Sequence, residues 1–352
     1  MSSVVQLVRQ HLQAVLPGTR VSSSGDELFV RVGKRHASLR QVAKLVLFDR
    51  AWLRFYDWEA NALTPTGHTV AQRLDRHDPQ ALRISQGAGA PGAGSMALYQ
   101  AAELAAKQPR WPSRSNSRSG PEYFMFAAPH SAACATAARY YHVAPIPGQP
   151  CYLAGPQDTI GELDLVLPAG VSNRAKGVRR VAVRQGWVVL QAAAPRFGNT
   201  PAWSDPAAQY YVLRDNAALF PDDITNPRPS TDAAGQPDIQ FDFTTPGAQA
   251  FQNVTAAIAK RGELDSGPGK KLFQHFAVAL GTQLITVPFI DYTANPDGIP
   301  TNNGAIIQGG FTRNTAQQLA TQLRLGSVNL KLVSINNRPN RRPLANLAFQ
   351  HP

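Results

Sequence analysis

The sequence predicts an α+β protein in which helices pack on antiparallel sheets. Three observations lead to this prediction. Segments with apolar residues at helical spacing are interspersed with strand-length segments of period two. Glycine-containing turns separate pairs of these strands. The first sixty residues follow the order helix, hairpin, helix, strand, which is most simply built as helices on one side of a sheet.

The first segment, residues 1–62, begins with a helix whose apolar face carries Val5, Val8 and Leu12 and which ends at Pro17-Gly18. TRVSSSGDELFVRV then predicts a hairpin that turns at Ser24-Gly25-Asp26. A second helix is expected from about Ser38, followed by the strand AWLRFYDW.

Residues 63–200 have a different composition, and we interpret them as a loop-rich insertion. They contain a glycine-rich run, an alanine-rich helix, a polar loop and two segments of strand character: QGAGAPGAGS, SMALYQAAELAAK, PRWPSRSNSRSGPE, EYFMFA and RRVAVRQGWVVLQAA.

Residues 201–310 form a predicted α+β segment, with strands at YYVLRD and DIQFDF. A hydroxyl cap followed by Pro246 predicts the start of a helix, and Gly262 stands where a C-terminal glycine is expected. FAVAL and QLITVPFI, separated by Gly281-Thr282, predict a hairpin.

The closing segment, residues 311–336, is predicted as a helix capped by Thr312 and ended by Gly326, followed by the strand VNLKLVSI. We expect this strand to pair with strands of residues 1–62. Residues 337–352, NNRPNRRPLANLAFQHP, show no periodicity and are predicted to be a tail or linker.

The chain has 352 residues and a formal net charge of +12. Its basic residues stand in ones and twos without interleaved aromatics, which is typical of a solvated surface or of a surface near anionic lipid headgroups. QGAGAPG matches G-x-G-x-x-G at Gly87, Gly89 and Gly92, but the acidic residue expected about twenty positions later is missing. The alternative hypothesis is a soluble basic nucleotide- or nucleic-acid-binding α+β protein, and it rests on the net charge and on QGAGAPG.

Catalytic patterns are absent from the sequence. There is no G-x-S-x-G, no HExxH and no Cys/His ligand spacing, and in GELDSGPGKK the residue after Gly267 is Pro268 rather than Lys. We predict no catalytic, cofactor or metal site, and hence a binding or mechanical module rather than an enzyme.

Cys134 and Cys151 are the two cysteines of the chain. They can form a disulfide, which requires an oxidising compartment, or remain as two free buried thiols, and the sequence leaves both open. No apolar run approaches the roughly 18 residues of a membrane helix, and no signal peptide is visible, so we expect the chain as given to be soluble.

Several segments, in this order, resemble the first extracytoplasmic domain of SecD, an accessory subunit of the bacterial Sec protein-export machinery. They are VVQLVRQHLQAV with SSSGDELFVRV and SLRQVAKLVLFDRAWLRFYDW, YYVLRDNAALFPDDI, IQFDFTTPGAQAFQNVTAAIAKRG with Gly247, Ala248 and Phe251, FAVALGTQLITVPFI, IIQGGFTRNTAQQLATQLRLGS and VNLKLVSI. The enlarged middle region resembles actinobacterial members of the family.

The resemblance implies a ferredoxin-like base with an inserted α+β head. It also implies binding of emerging unfolded preprotein and assistance to export driven by the proton-motive force. The implied partners are SecF and the SecYEG channel, and the implied location is the extracytoplasmic side of the cell membrane, tethered in the full-length protein. The matches are structural, so no preprotein-binding residue is predicted.

Overall fold

The computed structural model describes residues 2–15, 19–24, 27–33, 53–76, 92–112, 121–192, 203–205, 207–301, 304–308, 310–326, 331–337 and 344–350. The chain divides into two compact units. The first unit comprises Met1–Arg54, Leu219–Gln249 and Thr301–Pro352, and the second comprises Phe55–Ala218 and Ala250–Pro300. Each unit therefore contains segments that are distant in the sequence.

The described helices are, in chain order, α1 (Ser2–Val15), α2 (Trp58–Asn61), α3 (Val70–Asp75), α4 (Leu98–Lys107), α5 (Ala132–Tyr141), α6 (Ile160–Leu165), α7 (Thr245–Asp265) and α8 (Arg313–Gly326). A short 3-10 helix spans Pro221–Asp223.

The described strands are β1 (Arg20–Ser24), β2 (Glu27–Gly33), β3 (Leu53–Asp57), β4 (Glu122–Ala127), β5 (Cys151–Gln157), β6 (Val178–Val183), β7 (Trp187–Ala192), β8 (Tyr210–Arg214), β9 (Ile224–Thr231), β10 (Pro237–Phe243), β11 (Gln274–Leu280), β12 (Gln283–Thr286), β13 (Phe289–Ile290), β14 (Ala305–Ile307), β15 (Lys331–Asn337) and β16 (Leu344–Gln350). They form four sheets, so the prediction of an α+β protein is confirmed.

The first unit contains two antiparallel sheets, with strand orders β1-β2-β16-β15 and β14-β10-β9. The predicted first hairpin is confirmed, since Val21 pairs with Val30. Helix α8 begins as predicted, because the Thr312 hydroxyl accepts the Thr315 N–H at 3.2 Å. Its apolar face is buried, with Leu319 and Leu323 almost inaccessible to solvent.

The end of the chain differs from the prediction. Residues 344–350 form strand β16, where a tail without secondary structure was expected. β16 pairs with β2 through Leu347 and Val30, and β15 reaches the sheet by pairing with β16. The strand predicted from VNLKLVSI is therefore present, but it does not pair directly with β2. LANLAFQ is a short apolar segment behind Pro- and Asn-rich residues, and its partner lies more than 300 residues away along the chain. A local pattern could not reveal that pairing.

The second unit contains the other two sheets. In the larger one the order is β13-β11-β12-β7-β8, with β3 also paired to β11 and with β12 parallel to β7. The smaller sheet has the order β5-β4-β6. Helix α4 packs on these strands over a core that includes Phe124, Trp187 and Tyr210. The predicted hairpin of β11 and β12 is confirmed, and Gly281 adopts a φ of 57° at its turn.

Residues 63–200 contain more regular structure than the sequence predicted. Helices α5 and α6 and strand β5 were not expected. The first two are short helices that begin at hydroxyl caps, where Ser131 accepts the Cys134 N–H and Thr159 accepts the Glu162 N–H. The helix predicted near Ser38 lies outside the described residues. The five-segment division and the ferredoxin-like base stay predictions.

Helix α7 continues past Gly262 to Asp265, so the predicted end of this helix was wrong. A Cβ atom at Gly262 would lie 3.0 Å from the Leu272 carbonyl oxygen and 3.3 Å from the Tyr292 ring. The glycine therefore serves close packing within the helix rather than its termination.

Gly247, the third residue of α7, provides the first prediction. A Cβ atom there would overlap the Asp223 carbonyl oxygen, which already accepts the Thr244 N–H at 2.9 Å. We expect Gly247→Ala to lower the free energy of unfolding by about 1–3 kcal/mol in urea denaturation. Gly161→Ala in the first turn of α6 is the matched control, because its nearest atom is 4.0 Å away. The control should be neutral or stabilising by about 0.5–1 kcal/mol. Equal effects of the two substitutions would contradict the packing argument.

Candidate functional site

The residues considered for phosphate binding are not assembled into a site. Gly87 and Gly89 lie outside the described residues. Gly92 has a φ of 75°, and a Cβ atom there would lie 2.6 Å from a methyl group of Val70. Gly267 and Lys270 hydrogen-bond to each other across a tight turn. Local packing and turn geometry thus account for the glycines that are described.

The carboxylates of Asp223 and Asp291 are bound within local turns. The carboxylate of Asp223 accepts the Phe220 N–H at 2.8 Å. Asp291 accepts the Thr293 hydroxyl and N–H, and this hydroxyl hydrogen bond lowers the pKa of its carboxyl. Within the described ranges there is no group of three or more side chains that could hold a metal ion.

Cys134 and Cys151 form a disulfide, with their Cα atoms 5.4 Å apart. The bond joins α5 to the first residue of β5 and closes a loop with a sequence separation of 17 residues. Cys134 is buried among Met125, Ala137 and Leu153.

A buried polar pair in the second unit was missed in the sequence. Glu59 of α2 is about 1% exposed and accepts the backbone N–H of His275 at 2.9 Å. Its other carboxyl oxygen lies 2.7 Å from His275 Nδ1. Burial raises the pKa of the Glu59 carboxyl, and the hydrogen bonds from His275 oppose that shift. The signal available in the sequence was an acid within the apolar segment AWLRFYDWEANAL.

A second polar chain lies beside this pair. Arg261 of α7 donates to Asp57 at 2.6 Å and to Gln274 at 2.8 Å, and Gln274 in turn donates to Asp265. Asp57 also caps α2 by accepting the Ala60 N–H. Residues 57–59 are thereby bound to α7 and β11, which follow about two hundred residues later.

A partly exposed group of aromatic side chains lies beside the pairing of β11 with β13 in the second unit. The rings of Phe273 and Phe289 stack with centroids 5.1 Å apart, and Tyr292 lies 5.4 Å from Phe273. Phe289 is 56% exposed, which is unusual for a phenylalanine on a strand. The exposed Lys270 and Lys271 precede these rings in the chain. We call Phe273, Phe289 and Tyr292 the aromatic surface.

A pocket in the same unit is lined by six aromatic side chains: Tyr99, Phe126, Tyr141, Tyr152, Trp203 and Tyr210. Its volume is about 70 Å³, several times the roughly 10–15 Å³ that one water molecule occupies on this measure. Asp205 and Ser204 lie at the pocket, and Cys151 of the disulfide is part of its wall. The alternation of apolar residues in the sequence did not predict this pocket, because its lining residues come from four separate segments of the chain.

Part of the chain is similar to a known protein family. Residues 199–330 match the family model described as SecDF, P1 head subdomain. This part of the chain is therefore similar to a SecDF P1 head subdomain. This segment includes the aromatic surface, whereas Glu59, Cys134 and Cys151 precede it. In the described residues no helix is long and apolar enough to cross a membrane.

Curated relatives agree with this assignment. The protein translocase subunit SecD of Synechocystis sp. is 33% identical over 128 residues, which are 36% of this chain and 25% of that protein. SecD of Rhodobacter capsulatus is 29% identical over 130 residues, or 37% of this chain and 20% of that protein. The matched part thus spans a quarter or less of the length of these relatives.

Two solved structures are similar over most of the chain at low scores. One is described as the crystal structure of SecDF in a super-membrane-facing form, with 16% identity and a TM-score of 0.33, and the match covers 97% of this chain and 27% of that one. The other is described as the structure and function of SecDF, a membrane component that enhances protein export. It has 14% identity and a TM-score of 0.32, and the match covers 93% and 86% of the two chains. These scores are too low to support an argument about the fold.

The disulfide provides a prediction about stability. Reduction should lower the free energy of unfolding of the second unit by about 3 kcal/mol, because a cross-link of this loop length restricts the unfolded chain. Urea denaturation with and without dithiothreitol measures the effect. Alkylation of the unreduced, unfolded protein should add no mass. Two alkylated thiols under those conditions would show that the cysteines are free.

The Glu59 pair provides a prediction about pH. The pKa of the Glu59 carboxyl is higher in the folded protein than its usual value of 4.5. The protonated carboxyl therefore stabilises the fold at pH values below 4.5, and this contribution is lost as the pH rises. The unfolding free energy of the wild type relative to Glu59→Gln should therefore fall as the pH rises from 4.5, by up to about 1.4 kcal/mol per pH unit for one proton. The introduced amide can still accept the His275 N–H.

Glu263→Gln is the control for this experiment, because Glu263 is exposed and pairs with Lys260 on the surface. Its stability relative to the wild type should change little with pH. A difference between the wild type and Glu59→Gln that is constant, or that grows with pH, would contradict the assigned shift.

Proposed function

We propose that this chain is the extracytoplasmic domain of a SecD-like protein translocase subunit, which binds emerging unfolded preprotein and assists export driven by the proton-motive force. The match of residues 199–330 to the SecDF P1 head subdomain carries this proposal. In the parent protein the domain is tethered to the membrane and works with SecF and the SecYEG channel. Residues 1–62 and 311–336 belong to its ferredoxin-like base, and residues 63–200 are an insertion of the actinobacterial kind.

The extracytoplasmic location is supported by the disulfide. Disulfides persist in oxidising compartments and are rare in the cytosol. Cys134 and Cys151 are joined within a buried apolar cluster, where a covalent link holds α5 against β5.

Binding of unfolded polypeptide is supported by the aromatic surface. An unfolded segment exposes apolar side chains, and rigid aromatic rings are the side chains that contribute most to such contacts. Phe273 and Phe289 present stacked rings, and Lys270, Lys271 and Asp291 provide polar groups in the same segment. Contacts of this kind select apolar character rather than a particular sequence, which suits a domain that meets many preproteins.

We expect Phe289→Ser to weaken binding of an unfolded, signal-less preprotein about fivefold or more, since removal of a central aromatic contact costs about 1–3 kcal/mol. Affinity is measured by fluorescence anisotropy with the purified chain, and urea denaturation shows whether the variant is folded. Leu264→Ser is the matched control, because Leu264 is 70% exposed on α7 and is an apolar side chain outside the aromatic surface.

The control should bind as tightly as the wild type. Absence of preprotein binding by folded wild-type protein would contradict autonomous capture. Steeply salt-dependent binding of a labelled oligonucleotide, with no binding of preprotein, would favour the nucleic-acid-binding alternative.

A further inference from the structure

The aromatic pocket has walls inclined to one another rather than a single flat face. Trp203 and Tyr210 lie 5.1 Å apart with an angle of 35° between their planes. Tyr141 and Tyr152 lie 5.5 Å apart at 47°, and Tyr99 is perpendicular to Phe126. A compact group inside the pocket therefore meets rings on several sides.

The phenol groups of this pocket are already hydrogen-bonded within the protein. Tyr141 donates to the Leu153 carbonyl oxygen at 2.6 Å, Tyr152 to that of Gly155, and Tyr210 to that of Trp203 at 3.3 Å. The Tyr99 hydroxyl donates to Glu103 and accepts from Arg179. The tyrosines thus offer a ligand their rings rather than their hydroxyl protons.

The charge at the pocket is negative although the chain as a whole is basic. Among the described lining residues, Asp205 is the one aspartate, glutamate, lysine or arginine. One of its oxygens accepts the Ala207 N–H at 2.8 Å. Asp205 lies in the same lining as Tyr210, and burial, followed by the negative charge of Asp205, raises the pKa of the Tyr210 hydroxyl.

Neighbouring charges just outside the pocket are paired. Glu103 of α4 forms ion pairs with Arg179 and with Lys107, at 2.9 and 3.3 Å. Arg179 also lies over the Tyr99 ring, 6.0 Å from its centroid, on the side of that ion pair. Arg179 and Lys107 are therefore paired with Glu103, and neither of them is among the residues that line the pocket.

We propose that this pocket binds an organic cation with apolar substituents, such as a guanidinium or an alkylated ammonium group. Aromatic rings attract a cation through their negative faces, and the attraction increases when water is excluded. Asp205 supplies the complementary charge, and the volume suits one small cationic head rather than a larger molecule. The cation is either a basic side chain of an extended polypeptide or a small free amine. The first source rests on the proposed function, and the second does not.

The test compares cations with neutral molecules of the same shape. Choline is titrated against 3,3-dimethylbutan-1-ol, and the peptide Gly-Gly-Arg-Gly-Gly against the same peptide with citrulline, each followed by the NMR shift of the Trp203 indole N–H. Trp203→Phe assigns that resonance. We expect each cation that binds to do so at least about fivefold more tightly than its neutral counterpart. Tighter binding of the arginine peptide than of choline identifies a polypeptide as the source, and the reverse identifies a free amine.

Asp205→Asn removes the charge and keeps an oxygen for the Ala207 N–H. It should weaken cation binding about fivefold or more while leaving the weaker binding of the neutral alcohol unchanged. Gln149→Glu, at another position of the lining, should strengthen cation binding. Equal affinities for cation and neutral molecule, or no shift with any of the four compounds, would overturn the inference. Preprotein binding that persists in Asp205→Asn would leave the proposed function standing.

Discussion

The second unit depends on one buried interaction, the pair of contacts between Glu59 and His275. A carboxylate out of contact with water is costly unless hydrogen bonds satisfy it, and His275 supplies both its backbone N–H and its ring nitrogen. The packing of α2 against β11 meets this requirement. The link from Asp57 through Arg261 to Gln274 supports the same arrangement. Residues 55–62 are thereby fixed to elements that follow the long insertion, although the sequence places them with the N-terminal helix and hairpin.

Elements defined by local chemistry were predictable from the sequence, and those defined by distant partners were not. The cap at Thr312, the periodic leucines of α8 and the glycine turn at Gly281 act within a few residues, and the structure contains all three. Gly262 was misassigned because its reason lies in Leu272 and Tyr292. Strand β16 and the role of Glu59 were missed for the same cause. The aromatic surface could be predicted only in part: Phe289 stands in a segment of strand character, but its stacking on Phe273 requires the hairpin register.

The two aromatic sites of the second unit have different chemistry. On the aromatic surface the Phe289 ring and the nearby lysines are exposed, so its contacts favour apolar segments without a fixed geometry. In the pocket the rings of Phe126 and Tyr210 are buried, the tyrosine hydroxyl groups are hydrogen-bonded within the protein, and a carboxylate is present. The first suits transient contact with many polypeptides, and the second suits one kind of head group. The two sites share no lining residue, so either can be altered without replacing a residue of the other.

Contact between the aromatic surface and polypeptides during export can be tested by site-specific photocrosslinking. A photoreactive amino acid is placed at position 289 or, as a reference, at position 264 of the membrane-embedded full-length protein, and export of a preprotein is stalled part-way. We expect crosslinks to the stalled chain from position 289 and few from position 264, both of which are exposed to solvent. Crosslinks that are equal at the two positions, or that are absent at 289 while export is demonstrably stalled, would contradict this expectation.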